Sequence, residues 1–140
     1  MKRKKAIFSV VAILCAIGIA GGIWGWMAYH KARPTLDSVK ADVQINAAKL
    51  YNDFSTNEQN ADKLYLNKVV EVSGVVASVQ QDSSSASVQL TAGDGAMGGI
   101  NCDMRSTENL PKKGDSVHIK GRCTGYLMDV SLVDAVNISK

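Results

Sequence analysis

Three changes in the spacing of apolar side chains divide this chain. From Ala6 to Tyr29, twenty-four residues pass without one charged side chain. At about 1.5 Å of rise per residue, a helix of that length crosses a hydrocarbon layer of roughly 30 Å with some tilt. From His30 to Lys40 the apolar pattern disappears around Arg33-Pro34, and residues 30–44 read as a stalk. From Ile45 the spacing becomes helical. Ala47, Leu50, Tyr51 and Phe54 recur at three- and four-residue steps behind Asn46, a capping residue. Ser55 with Glu58 three residues on has the form of a capping box, so a second helix is expected there. Ala61, Leu64 and Tyr65 supply its apolar side, and Leu66-Asn67 ends it.

At Lys68 the period falls to two. Val70, Val72 and Val75 alternate with Glu71 and Ser73, and Gly74 marks a bend or bulge. Gln80 to Ser85 is a polar, serine-rich stretch that reads as a flexible hairpin loop, after which Ala86 to Thr91 alternates again. Gly93-Asp94-Gly95 and Gly98-Gly99 form a tight connection to a third strand carrying Ile100, Cys102 and Met104 on one face. Beyond the turn Asn109 to Gly114, a fourth strand turns Val117, Ile119, Gly121 and Cys123 inward and His118, Lys120 and Arg122 outward. A last strand runs from about Leu127 to Ile138. Five short antiparallel strands with glycines at the bends predict a small closed barrel.

The predicted organisation is therefore a basic tip over 1–5, a transmembrane helix over 6–29, the stalk over 30–44 and one domain over 45–140. Within that domain, helices lie over 46–66 and the barrel over 68–138.

Charge sets the orientation. Lys2, Arg3, Lys4 and Lys5 outnumber Lys31 and Arg33 at the far end, which predicts a cytoplasmic N-terminus and an exported remainder. Trp24, Trp26 and Tyr29 fall where aromatic rings anchor at headgroup level. The expected location is a bacterial cytoplasmic membrane with the domain periplasmic. A cleaved signal ending at Gly18-Ile19-Ala20 is the alternative, against which the apolar run continues nine residues past Ala20. Cys15 follows Leu14 where lipid attachment wants a small residue, and it reads as an apolar helix residue.

The whole chain carries +3, but from Pro34 onward ten Lys or Arg face thirteen acids, a net of −3. Phosphate binding rests on a basic surface, so this balance argues against nucleic acid. Cys102 and Cys123 are the only cysteines of the exported part, and in an oxidising compartment they form a candidate disulfide. Two reduced, buried thiols are the alternative. In a barrel ordered one-two-three-five-four the two strands are separated by the fifth, so geometry restricts that bond.

The run Leu50-Tyr51, Asn57-Glu58, Ala61, Leu64-Tyr65 and Asn67 through Val76 resembles the opening of the tRNA_anti-like OB-fold family. Lys113 through Cys123 resembles its fourth strand and Asp129 through Asp134 its closing strand. The resemblance spans about residues 45–138 and implies a five-stranded OB barrel behind one or two short helices. It brings no catalytic residue set, and many members carry a further cysteine where this chain has Ala135.

Single-strand binders on this fold stack bases on aromatic side chains along a basic groove. Lys68 to Met104 contains no Phe, Trp or Tyr, and Lys112, Lys113, Lys120 and Arg122 read as a solvated face. His118 reads as water-facing. The cysteines lack the spacing that activates a thiol, and no ligand set points to a metal. The expectation is a non-enzymatic, cofactor-free module that contacts another envelope protein, a peptide or a glycan, with nucleic-acid binding as the alternative. Arg105, Arg122 and Tyr126 are the candidate contact residues.

Overall fold

The computed structural model describes the backbone of residues 2–30 and 35–139 and the side chains of 7–30 and 35–139. The chain divides into two units, residues 1–33 and 34–140. The first is one helix, α1 (Lys2–Tyr29). Its segment Ile7–Tyr29 has a mean hydropathy of 2.4 and is long and apolar enough to cross a membrane. Apolar side chains surround the axis and none is buried within the chain. Residues 31–34 of the expected stalk lie outside the described residues.

The second unit is built on β1 (Val43–Asn46), α2 (Ala47–Thr56), α3 (Glu58–Tyr65), β2 (Val69–Gln81), β3 (Ala86–Thr91), β4 (Gly99–Met104), β5 (Ser116–Leu127) and β6 (Asp129–Asn137). Strands β2 to β6 close a barrel in the order β2-β3-β4-β6-β5, with β5 returning to β2. The closure is mixed, not wholly antiparallel as expected, because β6 runs parallel to β4. Alternation selects the core: Val70, Val72, Val88, Leu90, Ile100, Ile119, Val130 and Leu132 are fully buried. Leu50 and Phe54 of α2, with Ala61 and Tyr65 of α3, join the same core.

Further expectations are corrected. The stalk does not extend to residue 44, because Leu36 is buried and β1 pairs with β2 in parallel, Val43 opposite Val70 and Asn46 opposite Ser73. Lys120 does not face solvent. It is 7% exposed and donates from Nζ to the carbonyls of Val39 at 2.9 Å and Asp37 at 3.3 Å. The capping box at Ser55 is not formed. Helix α2 runs through Ser55 to Thr56, and Asn57 caps α3 by accepting from the Asn60 amide at 3.1 Å. Gly74 is no bulge, which lies between Val76 and Ser78. A Cβ on Gly74 would stand 3.0 Å from the Ala47 Cβ, so glycine there admits α2 against the strand. Val76, not Val75, then takes the inward place. Asn46 caps α2 as expected, accepting from the Lys49 amide at 2.7 Å.

Candidate functional site

The hairpin between β2 and β3 and the turn between β5 and β6 stand at opposite ends of β4. Gln81 and Ala86 lie level with Met104, whereas Val130 lies level with Ile100. Between them Ser87, Gln89, Asn101 and Asp103 point away from the core, because Val88, Leu90, Ile100 and Cys102 point into it. This outward strip carries neither an aromatic ring nor a cation.

At the hairpin end the strip opens into a groove of about 350 Å³ lined by Gln80, Gln81, Asp82, Ser85, Asp103 and neighbours. The hairpin expected over Gln80 to Ser85 is a four-residue turn, Asp82 to Ser85, closed by the Asp82 amide donating to the Ser85 carbonyl at 2.9 Å. Asp82 Oδ1 accepts from the Ser84 and Ser85 amides at 2.8 and 2.7 Å, and Oδ2 accepts from Ser85 Oγ at 2.9 Å. Those donors, the Ser84 amide foremost, hold the Asp82 carboxyl down at about 2. Its charge is therefore committed to the turn, and Asp103 is the second carboxylate at the groove. Sequence reasoning missed Asp82, and weighed Asp103 only as a metal ligand whose spacing does not fit. The serine run concealed an Asx-type turn, and Asp103 became conspicuous only when β4 aligned it with Ser87.

A second groove, of about 360 Å³, separates α3 from the β5–β6 hairpin, with Glu58 and Asp62 on one side and Tyr126 and Leu127 on the other. Tyr126 is stacked on Phe54 at 19° with ring centroids 5.8 Å apart, and it meets Tyr51 edge-on at 5.9 Å. Its phenol is held above the ordinary range, first by the hydrogen bond with Tyr51 and then by burial. Strand β5 runs through Leu127 and β6 starts at Asp129, so Met128 alone makes the turn.

The three candidate contact residues do not converge. Arg105 donates its backbone amide to Ala135 O at 2.9 Å, level with one end of β6, while Tyr126 pairs with Val130 near the other. Five residues of strand separate those levels, about 17 Å. Arg122 donates from Nη1 to the Asn67 carbonyl at 2.9 Å and so closes the turn after α3. Of the three, Tyr126 lines the second of these grooves.

Cys102 and Cys123 are free thiols, which corrects the candidate disulfide. Both are level with Leu132, which stands between them on β6. Two strand spacings separate their backbones by about 9.6 Å, beyond the roughly 7 Å a disulfide spans. Burial, with Asp103 adding to it, pushes the Cys102 thiol up to about 12, and burial raises Cys123 as well. Such thiols are inert apolar groups. His118 is exposed, with Nδ1 3.6 Å from Glu71 Oε1. Among the described residues no three His, Cys, Asp or Glu side chains gather as metal ligands. Trp24, Trp26 and Tyr29 are exposed on α1, Trp26 packing edge-on against His30 at 4.9 Å.

No curated protein matches this chain in sequence. Among solved structures, a lipoprotein of Klebsiella pneumoniae subsp. pneumoniae MGH 78578, named for nucleic-acid binding, is similar at 20% identity. The likeness has a TM-score of 0.58 and covers 76% of this chain and all of that one, which supports the shared fold. A Leishmania major Friedlin chain named for aspartyl-tRNA synthetase overlaps at 14% identity and a TM-score of 0.44, covering 78% of this chain and 23% of its own. The tRNA_anti-like family matches residues 1–136, nearly the full length. The chain belongs to the tRNA_anti-like family.

Proposed function

We propose that the chain is a single-pass, membrane-tethered OB module on the extracytoplasmic side of a bacterial cytoplasmic membrane, working by contact and without catalysis. The observation that carries this reading is α1. Its 23-residue segment Ile7–Tyr29 is apolar on every side and buries nothing within the chain, a surface that lipid satisfies and water does not. The cations at Lys2 to Lys5 favour a cytoplasmic N-terminus, which carries the barrel across.

The barrel's outward strip supports the second half. Its amides and hydroxyls, with Asp103, suit an uncharged or cationic hydrogen-bonding partner such as a peptide or glycan of a neighbouring envelope component. Nucleic-acid binding is the second reading, prompted by how the Klebsiella neighbour is named. Here the strip lacks stacking rings and cations, and its one carboxylate, Asp103, repels phosphate.

Protease added to sealed, right-side-out vesicles is expected to digest the barrel; protection there with attack from the opposite face overturns the orientation. Cross-linking in intact membranes is expected to capture a protein or glycan neighbour at the strip. Salt-dependent binding of single-stranded oligonucleotides to the full chain, lost on neutralising Lys or Arg, would replace this reading with the second.

A further inference from the structure

The groove between α3 and the β5–β6 hairpin has one acidic wall and one apolar wall. Glu58 and Asp62 are four residues apart on α3, so both side chains lie on one helix face. Neither has an ion-pair or hydrogen-bond partner for its carboxylate among the described residues. The helix N-terminus accounts for Glu58 in part, but Asp62 lies beyond the first turn. Opposite them, Tyr126 and Leu127 form the apolar wall, and Leu66 contributes from the end of α3.

The rim beyond that wall is also apolar. Leu127 is 90% exposed, Met128 69% and Met97 90%. Met128 makes the hairpin turn with φ at 69°, a left-handed conformation that costs an L side chain about 1 kcal/mol. Nothing in the fold requires methionine there, where Asn or Gly is the usual choice. The turn is held in place. Asp129 Oδ1 accepts from the Gly99 amide at 2.6 Å and from Gln89 Nε2 at 3.4 Å. A Cβ on Gly98 would stand 2.2 Å from the Met128 carbonyl, so the loop carrying Met97 lies directly against the turn.

We infer that this groove and rim bind a segment of a partner protein that alternates basic and apolar side chains. A Lys or Arg head seats between Glu58 and Asp62 with its stem along Tyr126, and an adjacent apolar side chain covers Leu127 and Met128. Charge complementarity selects this occupant: a carboxylate pair beside an aromatic ring attracts cations and rejects phosphate. The inference names a partner class for the contact module proposed above, at a surface distinct from the outward strip.

The test is an NMR titration of the full chain in phosphatidylcholine nanodiscs with the peptide acetyl-Lys-Leu-Lys-Leu-amide. Saturable shifts at the amides of Tyr126, Leu127 and Asp62 are expected. The double variant Glu58→Gln, Asp62→Asn keeps the shape of the wall and is expected to weaken binding roughly three- to tenfold, the range for two partly exposed charges. Leu127→Ser with Met128→Asn is expected to weaken it comparably. Glu108→Gln with Asp134→Asn, which removes two charges elsewhere, is expected to leave it unchanged. Equal affinity in the Glu58, Asp62 variant overturns the inference. So does an equal loss in the Glu108, Asp134 variant, or broadening of Leu127 and Met128 by a lipid-borne spin label without peptide, which would make the rim a bilayer contact. The module reading is tested apart from this, by the vesicle proteolysis, cross-linking and oligonucleotide experiments above, none of which depends on this groove.

Discussion

The Lys120 ammonium donates a 2.9 Å hydrogen bond to the Val39 carbonyl, joining residues eighty-one positions apart. With the Asp37 carbonyl as its second acceptor, it pins the segment entering β1 onto the barrel wall. Replacing Lys120 by Met keeps the buried stem and removes the donor. Loss of a charged hydrogen bond predicts destabilisation of about 1–2 kcal/mol. The sharper readout is hydrogen exchange across Leu36 to Asp42, which is expected to quicken. Unchanged exchange there would show that Lys120 does not hold the segment.

Asp53 and Tyr65 predict a pH dependence. The Tyr65 hydroxyl donates to Asp53 Oδ2 at 2.6 Å. That bond, chiefly, lowers the Asp53 carboxyl below its ordinary range, while burial and then Asp53 push the Tyr65 phenol up to about 12. A lowered carboxyl contributes stability that is present above about pH 4 and lost as pH falls through the folded value. A raised phenol contributes stability that is present below about pH 10 and lost as pH rises towards 12. Tyr65→Phe is expected to cost about 1 kcal/mol at neutral pH and to shallow both limbs. Denaturant unfolding at stepped pH measures this, and identical limbs in the two proteins would refute it.

The cysteines predict insensitivity to redox conditions. In a Cys15→Ser background, the folded protein is expected to leave thiol reagent unreacted, and unfolding is expected to release two thiols. Reductant should not move the melting temperature. Cys102→Ser buries a hydroxyl in the barrel centre and is expected to cost about 1–3 kcal/mol. Loss of free thiols on oxidation of the folded monomer would contradict the placement of the two cysteines on either side of Leu132.

Gly74→Ala introduces a Cβ 3.0 Å from that of Ala47. Backbone from both β2 and α2 must give, so a loss of about 1–3 kcal/mol is expected. Adding Ala47→Gly should recover only part of it, because glycine near a helix start carries its own cost. A double variant no more stable than Gly74→Ala alone would place the strain elsewhere.

The candidate site was legible only at its centre. Tyr126 could be singled out as the lone aromatic of the strand region, and it does line a groove. Arg122 was indistinguishable from a ligand contact because its acceptor, the Asn67 carbonyl, is a backbone group fifty-five positions away. Asp82 read as one more polar residue of a serine-rich loop, since a side chain that closes its own turn leaves no long-range trace. Glu58 has the spacing from Ser55 of a capping box, but α2 runs on through Thr56 and Asn57 takes the cap instead. The position of Glu58 opposite Tyr126 follows from how α3 lies along the barrel.

From composition and period alone came the apolar helix, the switch from helical to alternating spacing, the inward faces of β3 to β5 and the barrel itself. These follow from local rules, because a side chain's direction on a helix or strand depends on its own neighbours in sequence. Tertiary structure alone decided that Lys120 is buried, that β1 joins the sheet, that Gly74 serves α2 and that Leu132 keeps two thiols apart. Each of these depends on which distant segment arrives alongside, and alternation along one strand carries no information about what packs across it.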